Sequence, residues 1–304
     1  MEVIRNGEEM PFKKTAVALG NFDGLHKAHM AIIENCRIAA EKNGLKCGVF
    51  LFSEHTSEII KNEKVGIITG ERAKLELLEK AGMDFAYIRT FDKAFMNLSP
   101  EEFITALVNK LHPKAVFVGY DYRFGFGAKG DTSLLKELGS KYGFSVNVTE
   151  KITYDGVAVK STAVRECVSD GDMEQAYNLL GRPFSIEGEV IRGLQNGRKI
   201  GIPTANIGCC DNVLIPKNGV YAGRTYVDGE YFDSVINVGT NPTFDGRNLS
   251  IESHLLSFDG DIYGKTAKVE FVKYLRGDIK FNSIDGLVSQ IRRDIENAVQ
   301  ELKK

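Results

Sequence analysis

The sequence lacks the features that mark several protein classes. Only five of its 304 residues are cysteines and none belongs to a CxxC pair, so neither a disulfide framework nor a zinc ribbon is expected. No stretch approaches the roughly 18 consecutive apolar residues that a membrane-spanning helix needs, and the first 14 residues contain no apolar signal core. We therefore expect a cytoplasmic protein that does not associate with membranes.

The chain also has no excess of charge of either sign. Lys and Arg total 39, Asp and Glu total 41, and the formal net charge is −2. Binding to a polynucleotide relies on clustered positive charge, so no nucleic-acid partner is expected. Glycine is the over-represented residue, with 31 copies, roughly 10% of the chain against about 7% in an average protein.

The length suggests two domains, and the first of them alternates between buried strands and amphipathic helices. The predicted strands are Thr15–Gly20, Cys47–Phe52, Phe85–Ile88, Ala115–Gly119 and Phe144–Val148. The predicted helices are Ala28–Lys42, Glu71–Ala81 and Ser99–Leu111. This alternation favours a parallel sheet with helices on both faces, which is a Rossmann-like α/β domain.

The pattern changes near Arg182–Pro183, where we place the boundary between residues 1–183 and 184–304. Eleven glycines fall between Gly181 and Gly246, and helical periodicity is absent there. Short alternating runs predict strands at Phe184–Ile191, Val220–Val227, Tyr231–Asn237, Leu249–Leu255 and Ala267–Tyr274. A small antiparallel barrel followed by an amphipathic helix, Ile284–Leu302, is therefore expected.

A first candidate site lies where the first predicted strand meets the first helix. Residues 20–29 read GNFDGLHKAH and place His26 and His29 on one face of the opening helical turn. Free backbone N–H groups and the helix dipole attract anions there, and imidazoles can donate to phosphate oxygens. The alternatives are two surface histidines that happen to begin a helix, or a zinc site for which only Asp23 offers a nearby third ligand.

A second candidate site lies in the glycine-rich stretch 188–206, GEVIRGLQNGRKIGIPTAN. Gly193, Gly197 and Gly201 suit loops whose backbone amides meet phosphate. Thr204 and Asn206 offer oxygen ligands of the type that Mg²⁺ accepts beside phosphates. The alternative is that the glycines are barrel corners and that the Pro-Thr pair is a simple turn.

Three motifs in the first half resemble those of known enzymes. Residues 20–29 resemble the G-x-F-D-x-x-H-x-G-H signature of nucleotidyltransferases. Residues 118–125, VGYDYRFG, resemble an element of bacterial FAD synthetases, and residues 161–165, STAVR, resemble their S-T-x-x-R element. The resemblance implies that His26 and His29 are catalytic and that Asp121 contacts flavin. It implies ATP contacts at Gly20, Asn21, Asp23, Ser161, Thr162 and Arg165.

The second half resembles riboflavin kinases over the glycine-rich stretch and the segments that follow it. Residues 216–222, PKNGVYA, and 235–244, VINVGTNPTF, agree with that family, as do 251–256, IESHLL, and 271–276, FVKYLR. The resemblance implies that Glu252 is the catalytic base, that Thr204 and Asn206 bind Mg²⁺, that Gly193 contacts phosphate and that Arg276 contacts flavin. For His254, on the same strand face as Glu252, we expect a structural role.

Together the motifs are similar to those of bifunctional bacterial riboflavin kinase/FMN adenylyltransferases. The resemblance implies phosphorylation of riboflavin to FMN, then transfer of AMP from ATP onto FMN to give FAD and pyrophosphate, with Mg²⁺ as cofactor. It predicts no oligomeric state.

Three residues depart from the family pattern: Ala28 replaces glycine, Lys160 replaces serine and Ala163 replaces arginine. The alternatives are therefore that only one activity is retained, or that the chain is a non-catalytic flavin sensor.

Overall fold

The computed structural model describes residues 1–53, 65–193, 197, 200–209, 212–243 and 246–304. The chain divides into two compact units, Met1–Ser161 and Thr162–Lys304. Within the described residues, no helix combines the length and hydrophobicity that crossing a bilayer would require. Cys36, Cys47 and Cys167 are free thiols, whereas Cys210 lies outside the described residues.

The first unit is built on a six-stranded sheet in which every neighbouring pair is parallel. Its strands are β1 Glu2–Arg5, β2 Thr15–Leu19, β3 Lys46–Phe52, β4 Phe85–Arg89, β5 Pro113–Gly119 and β6 Ser145–Thr149. Its helices are α1 Lys27–Asn43, α2 Glu71–Lys80, α3 Lys93–Met96, α4 Pro100–Leu111 and α5 Thr132–Tyr142. A 3₁₀ turn at Phe126–Ala128 and a small hairpin, β7 Thr153–Tyr154 with β8 Val157–Ala158, complete the unit.

Alternation along the central strand β2 builds two cores, one on each face of the sheet. Val17 and Leu19 pack into one core with side chains of α4 and α5. Ala16 and Ala18 point the other way, into a core with residues of α1 and α2. Successive strand residues face opposite sides, so a continuous apolar run such as β2 is stable only when both faces are covered. The predicted α/β architecture is confirmed.

The strand order β1-β4-β3-β2-β5-β6 places a topological switch point in the middle of the sheet. From β2 the chain continues to β3 and β4 on one side, and then crosses to β5 and β6 on the other. The connections that leave β2 and β5 diverge at their carboxyl ends, and such a crevice is where open α/β sheets bind ligands.

The second unit begins with two helices, α6 Ser161–Asp170 and α7 Met173–Leu180, of which the first starts at the last residue of unit one. A closed antiparallel barrel follows, in the order β10-β13-β12-β11-β14-β9. Its strands are β9 Phe184–Ile191, β10 Ala205–Cys209, β11 Gly219–Val227, β12 Glu230–Thr243, β13 Gly246–Leu255 and β14 Thr266–Arg276. The last helix, α8 Ile284–Leu302, packs Ala298 and Leu302 onto Val220, Ala222 and Val235 of the barrel. The predicted barrel and its terminal helix are confirmed.

Candidate functional sites

The first site is the turn that leaves β2 at the switch point. Phe22 and Leu25 have φ of 47° and 40°, and Gly24 has φ of 86°. A side chain at Gly24 would also meet Ile68 at 3.2 Å. The turn is therefore tightly coiled, and it carries the chain from β2 into the first turn of α1.

His26 and His29 form a stacked pair at the start of α1. Their ring centroids lie 3.6 Å apart with an interplanar angle of 15°. His26 is 4% exposed and caps the helix, since its Nδ1 accepts a hydrogen bond of 3.3 Å from the backbone N–H of His29. An accepting Nδ1 carries no proton, so the ring proton of neutral His26 lies on Nε2.

In His29, unlike His26, one ring nitrogen has no hydrogen-bond partner among the described residues. Its Nδ1 is shielded from water and makes no hydrogen bond within the described residues. Burial, reinforced by electrostatic interactions with His26 and Lys74, holds the pKa of His29 well below its usual value. His29 is consequently a neutral imidazole at pH 7, with a ring nitrogen left over for a ligand.

Asp23 and Ser161 fix the turn in place. The carboxylate of Asp23 is 2% exposed, and its Oδ1 accepts from the backbone N–H groups of Ile68 at 3.0 Å and Thr69 at 3.4 Å. The hydroxyl of Ser161 donates to the carbonyl of Asp23 at 2.8 Å. Asp23 thus ties the segment before α2 to the turn, and Ser161 ties the end of the first unit to it.

Lys74 on α2 is a basic residue of this site that sequence reasoning missed. Its Nζ donates to the carbonyl of Asn21 at 3.3 Å, and burial lowers its pKa. Asn21, Asp23, Thr69 and Lys74 line part of a cavity of about 110 Å³ at the ends of β3 and β4. No sequence signal separates Lys74 from the other charged residues of α2, because its contact depends on a turn some 50 residues earlier.

Asp121 follows β5 on the other side of the crevice. Its carboxylate lies 3.7 Å from Nζ of Lys160, which is also 5.7 Å from the centre of the Tyr120 ring. The lysine that departs from the family pattern is therefore paired with the aspartate that the resemblance assigned to flavin. Thr162 and Arg165 lie on α6 in the second compact unit.

The second site is built where β10 pairs with β13. The antiparallel register places Asn206 directly opposite Glu252. The hydroxyl of Thr204 donates to Oε2 of Glu252 at 3.0 Å, and the hydroxyl of Ser250 donates to Oε1 at 3.0 Å. The structure therefore brings the predicted Thr204, Asn206 and Glu252 together and adds Ser250, which sequence reasoning missed.

Two glycines allow the preceding loop to lie against this pair of strands. A Cβ at Gly193 would fall 2.5 Å from the side-chain amide nitrogen of Asn206. A Cβ at Gly197 would fall 2.3 Å from the carbonyl oxygen of Ile202. Other parts of the family motifs, residues 194–196, 198–199 and 244, lie outside the described residues.

Arg276 is engaged inside the second unit. Its Nε and one terminal nitrogen donate to the carboxylate of Asp294 at 2.9 and 2.7 Å, and Gln290 donates to the same carboxylate at 2.9 Å. The side chain of Asp294 is only 3% exposed. Arg276, which the resemblance assigned to flavin, therefore anchors α8 to the end of β14.

The crystal structure of a macrolide-efflux protein from Streptococcus pneumoniae matches the whole fold. The TM-score is 0.88 and the sequence identity 29%, and the match covers 97% of this chain and 98% of that one.

The sequence matches two family models that divide the chain between them. The FAD synthetase model matches residues 9–163, and the riboflavin kinase model matches residues 180–302. Curated proteins described as bifunctional riboflavin kinase/FMN adenylyltransferase are similar over nearly the full length. That of Listeria monocytogenes is 37% identical, covering 91% of this chain and 89% of its own. That of Escherichia coli K12 is 37% identical, covering 96% and 94%, and that of Haemophilus influenzae is 38% identical, covering 93% and 92%. The chain therefore belongs to the family of bifunctional riboflavin kinase/FMN adenylyltransferases.

Proposed function

We infer that this chain makes FAD from riboflavin in two ATP-dependent steps. Riboflavin is first phosphorylated to FMN, and AMP is then transferred from ATP to FMN with release of pyrophosphate. The observation that carries this inference is that both family matches occur in one chain, each over a unit that contains its own polar cluster. We assign adenylyl transfer to residues 1–183 and phosphorylation to residues 184–304.

In the phosphorylation step, Glu252 is the general base. Its carboxylate accepts the proton of the ribityl 5′-hydroxyl while that oxygen forms a bond to the γ-phosphorus of ATP and the bond to ADP breaks. Each carboxylate oxygen of Glu252 receives one hydrogen bond, from Thr204 or Ser250, and so keeps a lone pair for the substrate. These two bonds also fix the direction in which the carboxylate points.

The donor set beside Glu252 fits a magnesium ion. The Thr204 hydroxyl uses its proton on Glu252, which leaves its oxygen lone pairs for a cation, and the Asn206 amide lies across the strand pair. We assign Mg²⁺ to Thr204 and Asn206 together with substrate phosphates, because hydroxyl, amide and phosphate oxygens are ligands it prefers. When bound, Mg²⁺ neutralises charge on the phosphates of ATP. The close approach of Gly193 to Asn206 allows backbone amides to reach the same phosphates.

In the adenylyl transfer step, a phosphate oxygen of FMN forms a bond to the α-phosphorus of ATP and the bond to pyrophosphate breaks. No protein nucleophile is required, so the residues act by positioning and by electrostatic stabilisation. The neutral His29 offers its ring N–H to a phosphate oxygen, while His26 holds the helix start on which the phosphates rest. Ser161, Thr162 and Arg165 bind the triphosphate, and Gly20, Asn21 and Asp23 form the turn beside the nucleotide.

The remaining assignments concern flavin and the cellular setting. We assign flavin contacts to Asp121, which is paired with Lys160, and to Arg276, which is paired with Asp294. We place the enzyme in the cytoplasm, with small molecules as its substrates and without a nucleic-acid or membrane partner.

The experiment that tests this function is incubation of the full chain with riboflavin, ATP and Mg²⁺, with chromatographic separation of FMN and FAD. Replacing His29 by Ala should abolish FAD formation from FMN and leave riboflavin phosphorylation unchanged. Replacing Glu252 by Gln, which keeps the shape and removes the base, should reduce phosphorylation by about 10²–10⁴-fold and leave FMN adenylylation unchanged.

The outcome also separates the alternatives. A wild-type chain that stops at FMN has retained only the kinase, and Ala28→Gly then tests whether the extra methyl group is the cause. Flavin binding without ATP consumption would instead identify a flavin sensor. Equal loss of both activities in either variant would contradict the assignment of one site to each unit.

A further inference from the structure

Strand β13 presents three polar side chains on one face, at every second residue. Ser250, Glu252 and His254 alternate with Ile251, Ser253 and Leu255, which are at most 6% exposed. Ser250 and Thr204 both bind the carboxylate of Glu252. His254 extends this row to the residue that precedes Thr204, since its Nδ1 lies 2.7 Å from the carbonyl oxygen of Pro203.

The chemistry of Pro203 decides the direction of that hydrogen bond. A carbonyl oxygen only accepts, so Nδ1 of His254 must carry the proton. Proline has no N–H group, so the carbonyl is the only hydrogen-bonding group in the backbone of Pro203. The contact therefore also fixes the tautomer of neutral His254, with its unprotonated nitrogen at Nε2.

Backbone pairing alone does not hold Thr204. Residue pairing between β10 and β13 begins at Ala205, opposite Ser253. On the other side, the N–H of Ile202 donates to the carbonyl of Gly197 at 2.9 Å. Pro203 and Thr204 lie between these two fixed points. The carbonyl that accepts the hydrogen bond from His254 belongs to the peptide unit between Pro203 and Thr204.

We propose that His254 is a positioning residue of the kinase site, which sets the Thr204 hydroxyl through the carbonyl of Pro203. The proposal rests on the kinase function inferred above. In this arrangement the imidazole does not act on the reacting atoms. It orients the hydroxyl oxygen assigned to Mg²⁺ and phosphate, as residues behind a metal ligand commonly do.

Three substitutions of His254 distinguish this role from general packing. Asn places an amide nitrogen at the position of Nδ1, Gln places one at the position of Nε2, and Ala removes both. We expect His254→Ala and His254→Gln to raise the KM for Mg·ATP in riboflavin phosphorylation by about tenfold, with kcat reduced less than about threefold. His254→Asn should keep the KM within about twofold of wild type.

A second readout does not depend on turnover. Hydrogen–deuterium exchange of the peptide that contains residues 203–208 should be faster in the Ala and Gln variants than in wild type and the Asn variant. FMN adenylylation by the same full-length proteins should be unchanged in all three variants. Far-ultraviolet circular dichroism checks folding, and the comparison of Asn with Gln decides the question if the Ala variant fails to fold.

The proposal is overturned if the Ala and Gln variants keep the wild-type KM and exchange rates, or if the Asn variant is as impaired as they are. A wild-type chain that does not phosphorylate riboflavin would instead contradict the proposed function. The exchange measurement still reports on the His254–Pro203 bond in that case, so the two failures are distinguishable.

Discussion

At the residue scale, the spacing of His26 and His29 predicts that they share a helix face, but it does not predict their charge. The lowered pKa of His29 depends on burial, on His26 and on Lys74, which comes from a different helix. The role of Asp23 also depends on distant residues, because its hydrogen-bond partners Ile68 and Thr69 are about 45 residues away. Motifs predict which residues lie in the site, whereas long-range contacts determine their pKa values and hydrogen bonds.

The lowered pKa of His29 predicts acid sensitivity of the first unit. Unfolded His29 takes up a proton as the pH falls below about 6.5, whereas folded His29 remains neutral until lower pH. The unfolded state then binds more protons, so the free energy of unfolding decreases as the pH falls through this window. Replacing His29 by Gln should flatten this dependence between pH 7.5 and 5, as measured by urea unfolding.

An internal control separates the titration from lost packing. At pH 8 His29 is neutral in both states, so the difference between wild type and variant there reports packing alone. The difference should shrink as the pH is lowered. Parallel curves over the whole range would show that His29 is equally protonated in the two states and would contradict the prediction.

At the element scale, hydrophobic periodicity predicts most of the secondary structure of both units. The predicted helix Ile284–Leu302 agrees with α8 in both bounds. The helix predicted at Ser99–Leu111 agrees with α4 except that Ser99 is its N-cap. Strand β10 was not predicted, because its five residues follow a proline and include glycine, with no long apolar alternation. Its place in the barrel is fixed by pairing with β9, the preceding strand, and with β13, which is distant in sequence.

Besides the apolar packing of Ala298 and Leu302, an enclosed ion pair between Arg276 and Asp294 attaches α8 to the barrel. Breaking such a pair leaves a buried charge without a partner, which typically costs about 3–5 kcal/mol. Because Arg276 keeps 19% exposure, water reduces this cost, and we expect Asp294→Ala to lower the free energy of unfolding of the second unit by about 2–3 kcal/mol. Denaturant unfolding followed by circular dichroism at 222 nm measures this loss.

A double replacement tests whether the loss of stability in Asp294→Ala comes from the unpaired charge of Arg276. Changing Arg276 to Met together with Asp294 to Leu removes both charges, so stability should be largely restored relative to Asp294→Ala. The KM for riboflavin then tests whether Arg276 also contacts flavin. If it does, the double variant should have a raised KM for riboflavin even though its stability is restored. A stable double variant with unchanged KM would limit Arg276 to its structural contact.

At the scale of the whole molecule, near-zero net charge is compatible with handling highly charged phosphates. Several polar groups of the two clusters are neutral or locally paired, such as His29, Thr204 and Lys160 with Asp121. Helix starts and glycine-loop amides supply further donors without adding net charge. Overall charge therefore says little about a site for one nucleotide.

The folding boundary and the boundary between activities need not coincide. We placed the change in sequence pattern near Pro183, whereas the compact units meet between Ser161 and Thr162. Helix α7 packs against β14 and β9 of the barrel, and Glu174 forms an ion pair with Lys273. The buried side chains of α7 are Met173, Ala176, Leu179 and Leu180.

These contacts predict that a fragment 162–304 is more stable than a fragment 184–304. Each fully buried large apolar side chain contributes about 1.5–3 kcal/mol, so loss of α7 should destabilise the barrel by several kcal/mol. Thermal unfolding and riboflavin phosphorylation of the two fragments measure the difference. Leu179→Ala in the longer fragment is the matched control, and it should lose about 2–5 kcal/mol while α7 remains present. Equal stability of the two fragments would mean that the barrel folds without α7, and would place the folding boundary at Pro183 together with the proposed division of activities.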